Sequence, residues 1–429
     1  LKKIKLGLIG FGTIGSGVVK EVIKFKELIT RRNNVELEFK YICDLDTQTD
    51  RGVKIDKSIL TSDWKKVVND DEVDIIIELV GGVDFPSEIV STAIKNGKHV
   101  VTANKALIAA KGEDLFKLAF DKKRYIGFEA SVAGGIPIIR VIREALAGDR
   151  IEAIFGIING TTNYILTKMI DEKMPFDEAL KKAQELGFAE ADPTLDINGG
   201  DAAAKISILA SLAFNTCVEY SDVYMEGIEN IDLKDVEYAV AMGYTIKLLA
   251  ITKQDENSDI EVRVHPTLVP VKNSLASVKN EFNAVLMDSE FLGNSMYYGR
   301  GAGSLPTASA VVGDICSIAS KISSGAEYGH VKYFEKSKSR VKDISELASR
   351  FYLRINTEDR SGVLAKVAGI LADKNISIAE VHQKESSENI IPVVIVTHEA
   401  KEKDFADCIK KIDSLDFIKK KSVIFRLVE

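Results

Sequence analysis

Along residues 1–130 the apolar positions fall in short, nearly unbroken runs separated by segments with helical spacing. The runs are "KIKLGLIG", "VELEFKYICD", "VDIIIELVGG", "KHVVTA" and "RYIGFEAS". Runs of that density predict strands covered on both faces, as in a parallel doubly wound sheet. Between them, stretches such as "PSEIVSTAIKNG" place Pro86 near the first helical turn and Gly97 past the end, the punctuation of a helix. The texture changes near Gly148. "DRIEAIFGIING" reads as a strand, several helical patterns follow, and "SDIEVRVHPTLVP" alternates like a half-exposed strand. From Arg350 the pattern runs strand, helix, strand, strand, helix, strand, which predicts two helices packed on an antiparallel sheet.

The expected class is therefore α/β. A Rossmann-type doubly wound parallel sheet occupies 1–130 and is completed by a segment returning near 300–320. An α+β domain follows over 131–322, then a polar, basic linker over 323–347, then a βαββαβ domain over 348–429. Composition narrows the chemistry. A net charge of −7 over 429 residues, with no basic stripe, argues against nucleic acid or an anionic membrane as partner. No apolar run approaches the roughly 18 residues that span a bilayer. The four cysteines are far apart without CxxC spacing, as expected of reduced thiols in a cytoplasmic protein. Five scattered histidines make a zinc site a poor fit. Proton transfer is left to carboxylates or lysine. The chain opens on Leu1 rather than Met, which leaves its native start open.

Two glycine-rich stretches stand out. "GLIGFGTIGSG" carries Gly10-x-Gly12-x-x-Gly15 after a strand and before a helix. In a dinucleotide fold the first glycine makes the turn, the second admits a pyrophosphate, and the third packs helix on strand. A purely structural turn is the alternative. Asp44, at the end of the second strand, is placed to meet the adenosine ribose, although it lies 29 residues beyond Gly15 where about 20 is usual. The polar "TRRNN" insertion accounts for the difference. A carboxylate there favours NAD, Arg51 or Lys54 would favour NADP, and the choice stays open. The second stretch, "YYGRGAGSLPTASAVVGD", is either a phosphate-cradling loop or a flexible connection.

The densest chemistry lies in "GFAEADPTLDINGGDAAAKISILASLAF", with Glu190, Asp192, Asp196 and Asp201 ahead of an apolar helix. Asp201 and Lys205 are spaced i, i+4 and share a helix face. The helix is too apolar to be solvated, so Lys205 is expected at a partly dry wall. Burial there disfavours its charge while the neighbouring carboxylate favours it, leaving an amine able to exchange a proton with a substrate oxygen. The upstream acids suit a substrate ammonium group. Asp192-Pro193 as a turn, Asp201 as a helix-start acid, and a calcium loop lacking the D-x-D-x-D-G order are the competing readings.

With "VVTANKAL" (100–107), "EASVAGGIPII" (129–139), "NGTTNYIL" (159–166) and the acidic block in this order, residues 1 to about 320 resemble homoserine dehydrogenase. The tail, with "DRSGVLAKVAGILADKNISI", resembles an ACT domain. No aminoacid-kinase segment precedes the first strand, so the resemblance is to the monofunctional form. It implies reversible hydride transfer between NADP or NAD and L-aspartate 4-semialdehyde, giving L-homoserine. Lys205 matches the proton donor, Asp201 the residue positioning it, and Glu190 and Asp196 the residues holding substrate. Lys105 matches a lysine beside cofactor and substrate; a surface lysine at a helix start is its plainer reading. Thr13 and Ile14 in the glycine turn and Gly303 in the later loop match cofactor contacts, beside Lys105 and the Gly10, Gly12, Gly15 and Asp44 read above. Glu129 with the carbonyls of Val132, Gly134 and Ile136 matches a monovalent-cation site, sodium by expectation; a strand-to-helix turn ahead of Pro137 is the alternative. "NGTTNYIL" is expected to shape the pocket or a subunit contact rather than to do chemistry.

In the ACT-like tail, Asp359, Gly362 and Leu364 lie in a strand-to-helix turn and Asn375 and Ile376 follow the helix. By the resemblance this is where L-threonine would bind across paired ACT domains of a homodimer or homotetramer. Two rivals remain. Aspartate-semialdehyde dehydrogenase needs a nucleophilic cysteine, and no cysteine here sits in a recognisable block. A non-catalytic amino-acid sensor with Rossmann and ACT folds would not need Lys105, Glu190, Asp201 and Lys205 together.

Overall fold

The computed structural model describes residues 1–326, 339–383 and 389–428. The chain divides into two compact units. One is Leu1–Gly160 with Asp201–Val223 and Phe282–Ser339; the other is Thr161–Gly200 with Tyr224–Glu281 and Arg340–Glu429. This division cuts across the expected 131–322 segment, sharing it between the units.

In the first unit six parallel strands form one sheet: β1 (Lys2–Ile9), β2 (Val35–Cys43), β3 (Leu60–Thr61), β4 (Ile75–Glu78), β5 (His99–Thr102) and β6 (Ile126–Gly127). Their spatial order is β3-β2-β1-β4-β5-β6, so the winding reverses between β1 and β4. Ile4, Leu6, Leu8, Ile75, Ile76 and Ile77 are all fully buried, as unbroken apolar strands between two helix layers require. The helix Ser304–Ser324 packs beside Thr13–Lys24, and its Ala308, Val311 and Ile315 join the β1 core. A return of the chain near 300–320 is thus what covers this face. A separate antiparallel set, Gly293–Arg300, Phe282–Ser289 and Ile151–Ile157, lies in the same unit.

The second unit carries a six-stranded mixed sheet: Tyr244–Gln254, Ile260–Pro270, Ile418–Leu427, Ala348–Glu358, Ile390–Thr397 and Ile378–Gln383, in that order. The last four strands, with the helices Val363–Ala372 and Glu402–Asp413, make the βαββαβ tail. Its core is Phe351, Leu353, Val367, Leu371, Phe405 and Ile412. The tail joins its unit edge to edge, Thr267 and Leu268 pairing in parallel with Arg426 and Leu427.

One expectation is corrected here. The strand Ile260–Pro270 is buried at nearly every position rather than half-exposed. Its polar side chains are enclosed among partners: Arg263 donates to Ser349 Oγ at 2.8 Å and pairs with Glu261 at 2.8 Å, and Thr267 meets His265 at 2.9 Å. Residues 339–347, the end of the segment expected as a linker, are tied to the strand Ile260–Pro270 and its approach. Ile260 N donates to Arg340 O, Lys342 N donates to Ile260 O, and Arg340 pairs with Asp259 and Glu346; the middle of the expected linker, 327–338, lies outside the described residues. The tail is also fastened by charge. Asp235, fully buried on the helix Leu233–Ala241, accepts both arms of Arg354 at 2.6 and 2.7 Å and the Tyr352 hydroxyl at 2.9 Å. A bidentate buried pair of this kind is costly to break because either partner alone is left charged in a dry interior.

Candidate active site

The glycine turn after β1 has the geometry of an anion cradle. Gly10 holds a φ of +100°, which favours glycine, and a Cβ there would lie 2.7 Å from the Leu79 backbone. A Cβ on Gly15 would stand 2.1 Å from Gly10 O, whereas one on Gly12 would meet nothing within 4 Å. Gly12 therefore borders open space. The helix Thr13–Lys24 begins there without a side-chain cap or an acid in its first turn, so its leading amides are open to a bound anion. Thr13, on the surface, accepts the Ser304 hydroxyl on its carbonyl oxygen at 2.6 Å. That bond fastens the second glycine stretch, with Gly303 at a φ of +110°, against the first. Asp44 receives Phe11 N at 2.6 Å and Asp46 N at 2.9 Å. The carboxylate thus shapes the glycine turn as well as ending β2. These features fit a dinucleotide.

At the same carboxyl edge of the sheet, the chain leaves β5 through Asn104 into the helix Lys105–Lys122. Lys105 Nζ reaches Asp201 Oδ1 at 2.7 Å. The other oxygen, Asp201 Oδ2, accepts from Lys205 Nζ at 2.7 Å and from Asn159 Nδ2 at 2.8 Å. Lys205 Nζ also donates to the Ile158 carbonyl at 2.7 Å. Asp201 is 7% exposed, the Lys205 side chain 12% and the Lys105 side chain 41%, so one amine is nearly enclosed and the other faces outward. Burial by itself would push the Asp201 carboxyl up, but the Lys205 and Lys105 ammonium groups outweigh it. They hold the acid well below the usual carboxylate range. The group stays ionised at neutral pH, and with both lysines charged the cluster carries one net positive charge.

Asn159 and the Ile158 carbonyl were outside the sequence expectation, which gave "NGTTNYIL" no part in the chemistry. A polar amide directly after a mostly apolar strand was the one local signal, and it does not point to its partner. The remaining expected residues are distributed. Asp192 is a turn residue, its carboxylate receiving Thr194 N at 3.1 Å and Thr194 Oγ1 at 2.6 Å. Glu190 is exposed in the loop before Pro193, and Asp196 is half-buried in the short helix Thr194–Ile197; both belong to the second unit.

Glu129 is buried, and its two oxygens accept Ile139 N at 2.8 Å and Arg140 N at 2.9 Å. The side chain thus caps the short helix Ile138–Arg140, while the Ile136 carbonyl accepts Ile138 N. Burial, together with the nearby Asp314 carboxylate, pushes Glu129 up to about 7. Val132 and Gly134 complete this turn, Gly134 with a φ of +49° and so close to Gly301 that a Cβ would come within 2.5 Å of its carbonyl oxygen. Of the expected effector residues, Asp359, Gly362, Leu364 and Asn375 are exposed, with Gly362 and Asn375 at positive φ. The Ile376 side chain packs into the core of the tail. Burial pushes the Cys43 and Cys316 thiols up to about 11, the reverse of an activated thioester-forming nucleophile.

A doubly wound sheet with a glycine cradle and an acid-held pair of amines at one edge defines an NAD(P)-dependent oxidoreductase. Comparison with known proteins makes it particular. Residues 10–129 match the NAD-binding domain of homoserine dehydrogenase, 137–316 match homoserine dehydrogenase, and 351–414 match the ACT domain. The homoserine dehydrogenase of Bacillus subtilis is 40% identical over 429 residues, covering 100% of this chain and 99% of that protein. The crystal structure of a homoserine dehydrogenase from Thiobacillus denitrificans superposes with a TM-score of 0.92 at 41% identity, covering 100% and 99% of the two chains. A hyperthermophilic archaeal homoserine dehydrogenase in complex with NADPH gives a TM-score of 0.63 at 28% identity over 74% of this chain and 98% of that one. The chain belongs to the homoserine dehydrogenase family and carries a C-terminal ACT domain.

The open face of Gly12 yields a direct test. Gly12→Val places a branched side chain where the cradle is open and is expected to weaken NADPH binding by about 10-fold or more with little change in thermal stability. Fluorescence titration and a thermal melt measure the two quantities; unchanged affinity would place the dinucleotide elsewhere.

Proposed function

We propose that the Asp201 cluster is the proton-transfer centre for the reversible reduction of L-aspartate 4-semialdehyde to L-homoserine, Lys205 giving and taking the proton. The observation that carries this reading is the ammonium of Lys205, enclosed and fixed by Asp201 and the Ile158 carbonyl. A nicotinamide held at the glycine cradle would supply or accept the hydride. As negative charge grows on the substrate oxygen, a net-positive cluster in a mostly dry wall stabilises it, and Lys205 neutralises it by proton transfer. Asp201 fixes the amine throughout and does not itself need to change charge. Lys105 faces outward from the same carboxylate, placed to meet substrate and cofactor. Glu190 and Asp196 supply acids of the sign that a substrate ammonium and hydroxyl would meet.

NADPH in the archaeal relative supports NADP as cofactor, while Asp44 keeps NAD in contention. A monovalent cation, sodium, at Glu129, Val132, Gly134 and Ile136 belongs to the same reading, supported by an all-oxygen donor set on one turn. L-threonine at the turn of Asp359, Gly362 and Leu364, with Asn375 beside it, is supported by the exposed Leu364 and the two positive-φ positions. An apolar residue exposed there also suits paired ACT domains, hence a homodimer or homotetramer. No helix among the described residues is long and apolar enough to cross a membrane. A non-catalytic sensor would have no use for a buried acid binding two amines.

Lys205→Ala is expected to lower kcat by about 10²–10⁴-fold with NADPH affinity preserved, measured at 340 nm and by fluorescence; wild-type turnover would remove the proposed donor. Exchange of sodium for a bulky organic cation is expected to reduce activity, restored on adding sodium back, and an unaffected rate would leave Glu129 as a helix cap alone. Isothermal titration is expected to detect L-threonine binding that Asp359→Ala abolishes, and no heat with the wild-type protein would contradict this regulatory assignment.

A further inference from the structure

Glu78 closes β4 with a fully buried carboxylate, and the proton-transfer cluster does not account for it. Its Oε1 accepts Val80 N at 2.6 Å, two residues along, and its Oε2 accepts the Thr102 hydroxyl at 2.6 Å from the end of β5. Thr102 Oγ1 in turn accepts Asn104 N at 3.0 Å. The Asn104 side chain then works in two directions. Its Oδ1 accepts Leu107 N at 3.0 Å and so caps the helix that begins at Lys105, while its Nδ2 donates to Val80 O at 3.0 Å and Gly82 O at 2.9 Å.

The segment from Leu79 to Gly82 is held on its other side by the dinucleotide turn. Leu79 N donates to Ile9 O at 2.9 Å, and the Leu79 backbone leaves no room for a Cβ on Gly10. Gly81 and Gly82 border open space. One buried acid therefore fixes, through three hydrogen-bonded partners, both a wall beside the cofactor turn and the first turn of the helix that presents Lys105. Burial pushes Glu78 up to about 7, against the lowering by its bonds to Thr102 and Val80 and by the Asn104 side chain. An apolar residue would spare that cost, which is the expected mark of a polar group retained for geometry.

We infer that Glu78 is a positioning residue for the dehydrogenase reaction, setting the Leu79–Gly82 segment and the Lys105 helix start in register so that the Lys105 amine meets Asp201. The inference rests on the reading of Lys105 as part of the site. Glutamine keeps part of the arrangement, its carbonyl taking Val80 N–H and its amide meeting Thr102 Oγ1 with the direction of that bond reversed; alanine keeps neither bond.

The test is a double-mutant cycle between Glu78→Ala and Lys105→Ala, with Glu78→Gln as the conservative variant, reading kcat, KM for homoserine and NADPH affinity. Glu78→Ala is expected to lower kcat by about 10-fold, Glu78→Gln by less than about 3-fold, and the double variant to be no slower than Lys105→Ala alone. Losses that multiply in the double variant, or Glu78→Gln as impaired as Glu78→Ala, would overturn the inference while leaving the role of Lys105 intact. Wild-type turnover in Lys105→Ala would instead remove the lysine's role and the positioning with it. If Glu78→Ala does not fold, Thr102→Val enters the same cycle, with the same outcomes deciding.

Discussion

A single carboxylate, Asp201, is what the rest of the site depends on. It is nearly withdrawn from solvent, and an isolated charge in that position would cost several kcal/mol. Two ammonium groups and one amide, all within 2.8 Å of its oxygens, offset that cost. The exchange works in both directions: the acid is kept ionised by the lysines, and the lysines are kept in place by the acid. With both lysines charged, the two amines and the one carboxylate carry an excess of one positive charge at this edge of the sheet.

The parallel sheet explains how such distant residues meet. In a doubly wound sheet, ligand chemistry gathers at the carboxyl ends of the strands near the reversal of winding. Here β1 ends in the glycine cradle, β4 in Glu78 and the segment after it, and β5 in Asn104 and Lys105. The strand Ile151–Ile157 delivers Ile158 and Asn159, and the helix Gly200–Ala213 adds Asp201 and Lys205 one turn apart. Two helices supply Lys105, Asp201 and Lys205, while Ile158 and Asn159 lie in the two-residue connection between that strand and the helix Gly160–Asp171. The ACT domain is built into its own unit by a shared sheet and by the buried Asp235–Arg354 pair.

Much of this was legible in the chain because it rests on local spacing. The i, i+4 interval makes Asp201 and Lys205 neighbours on any helix, and Gly10, Gly12 and Gly15 declare a turn between strand and helix. Contacts across long sequence separations were not legible. Nothing near Asn159 indicates that its amide meets a carboxylate 42 residues on. The polar alternation of Glu261, Arg263, His265 and Thr267 suggested water on one face, yet those groups are enclosed among protein partners. The Ile376 side chain, next to a turn expected to bind ligand, packs into the core of the tail. The first acids of the "EADPTLD" run divide along the same line, Asp192 being settled by its own turn while the partners of Glu190 and Asp196 are a matter of tertiary structure.

The account turns on Asp201 being charged, and Asp201→Asn tests that with almost no change in shape. Steady-state kinetics alongside NADPH titration should show kcat reduced by about 10²-fold or more with cofactor affinity kept, since both amines lose their counter-charge. Turnover at the wild-type rate in the asparagine variant would show that the ion pairs do not organise the chemistry, and the account would be wrong at its centre.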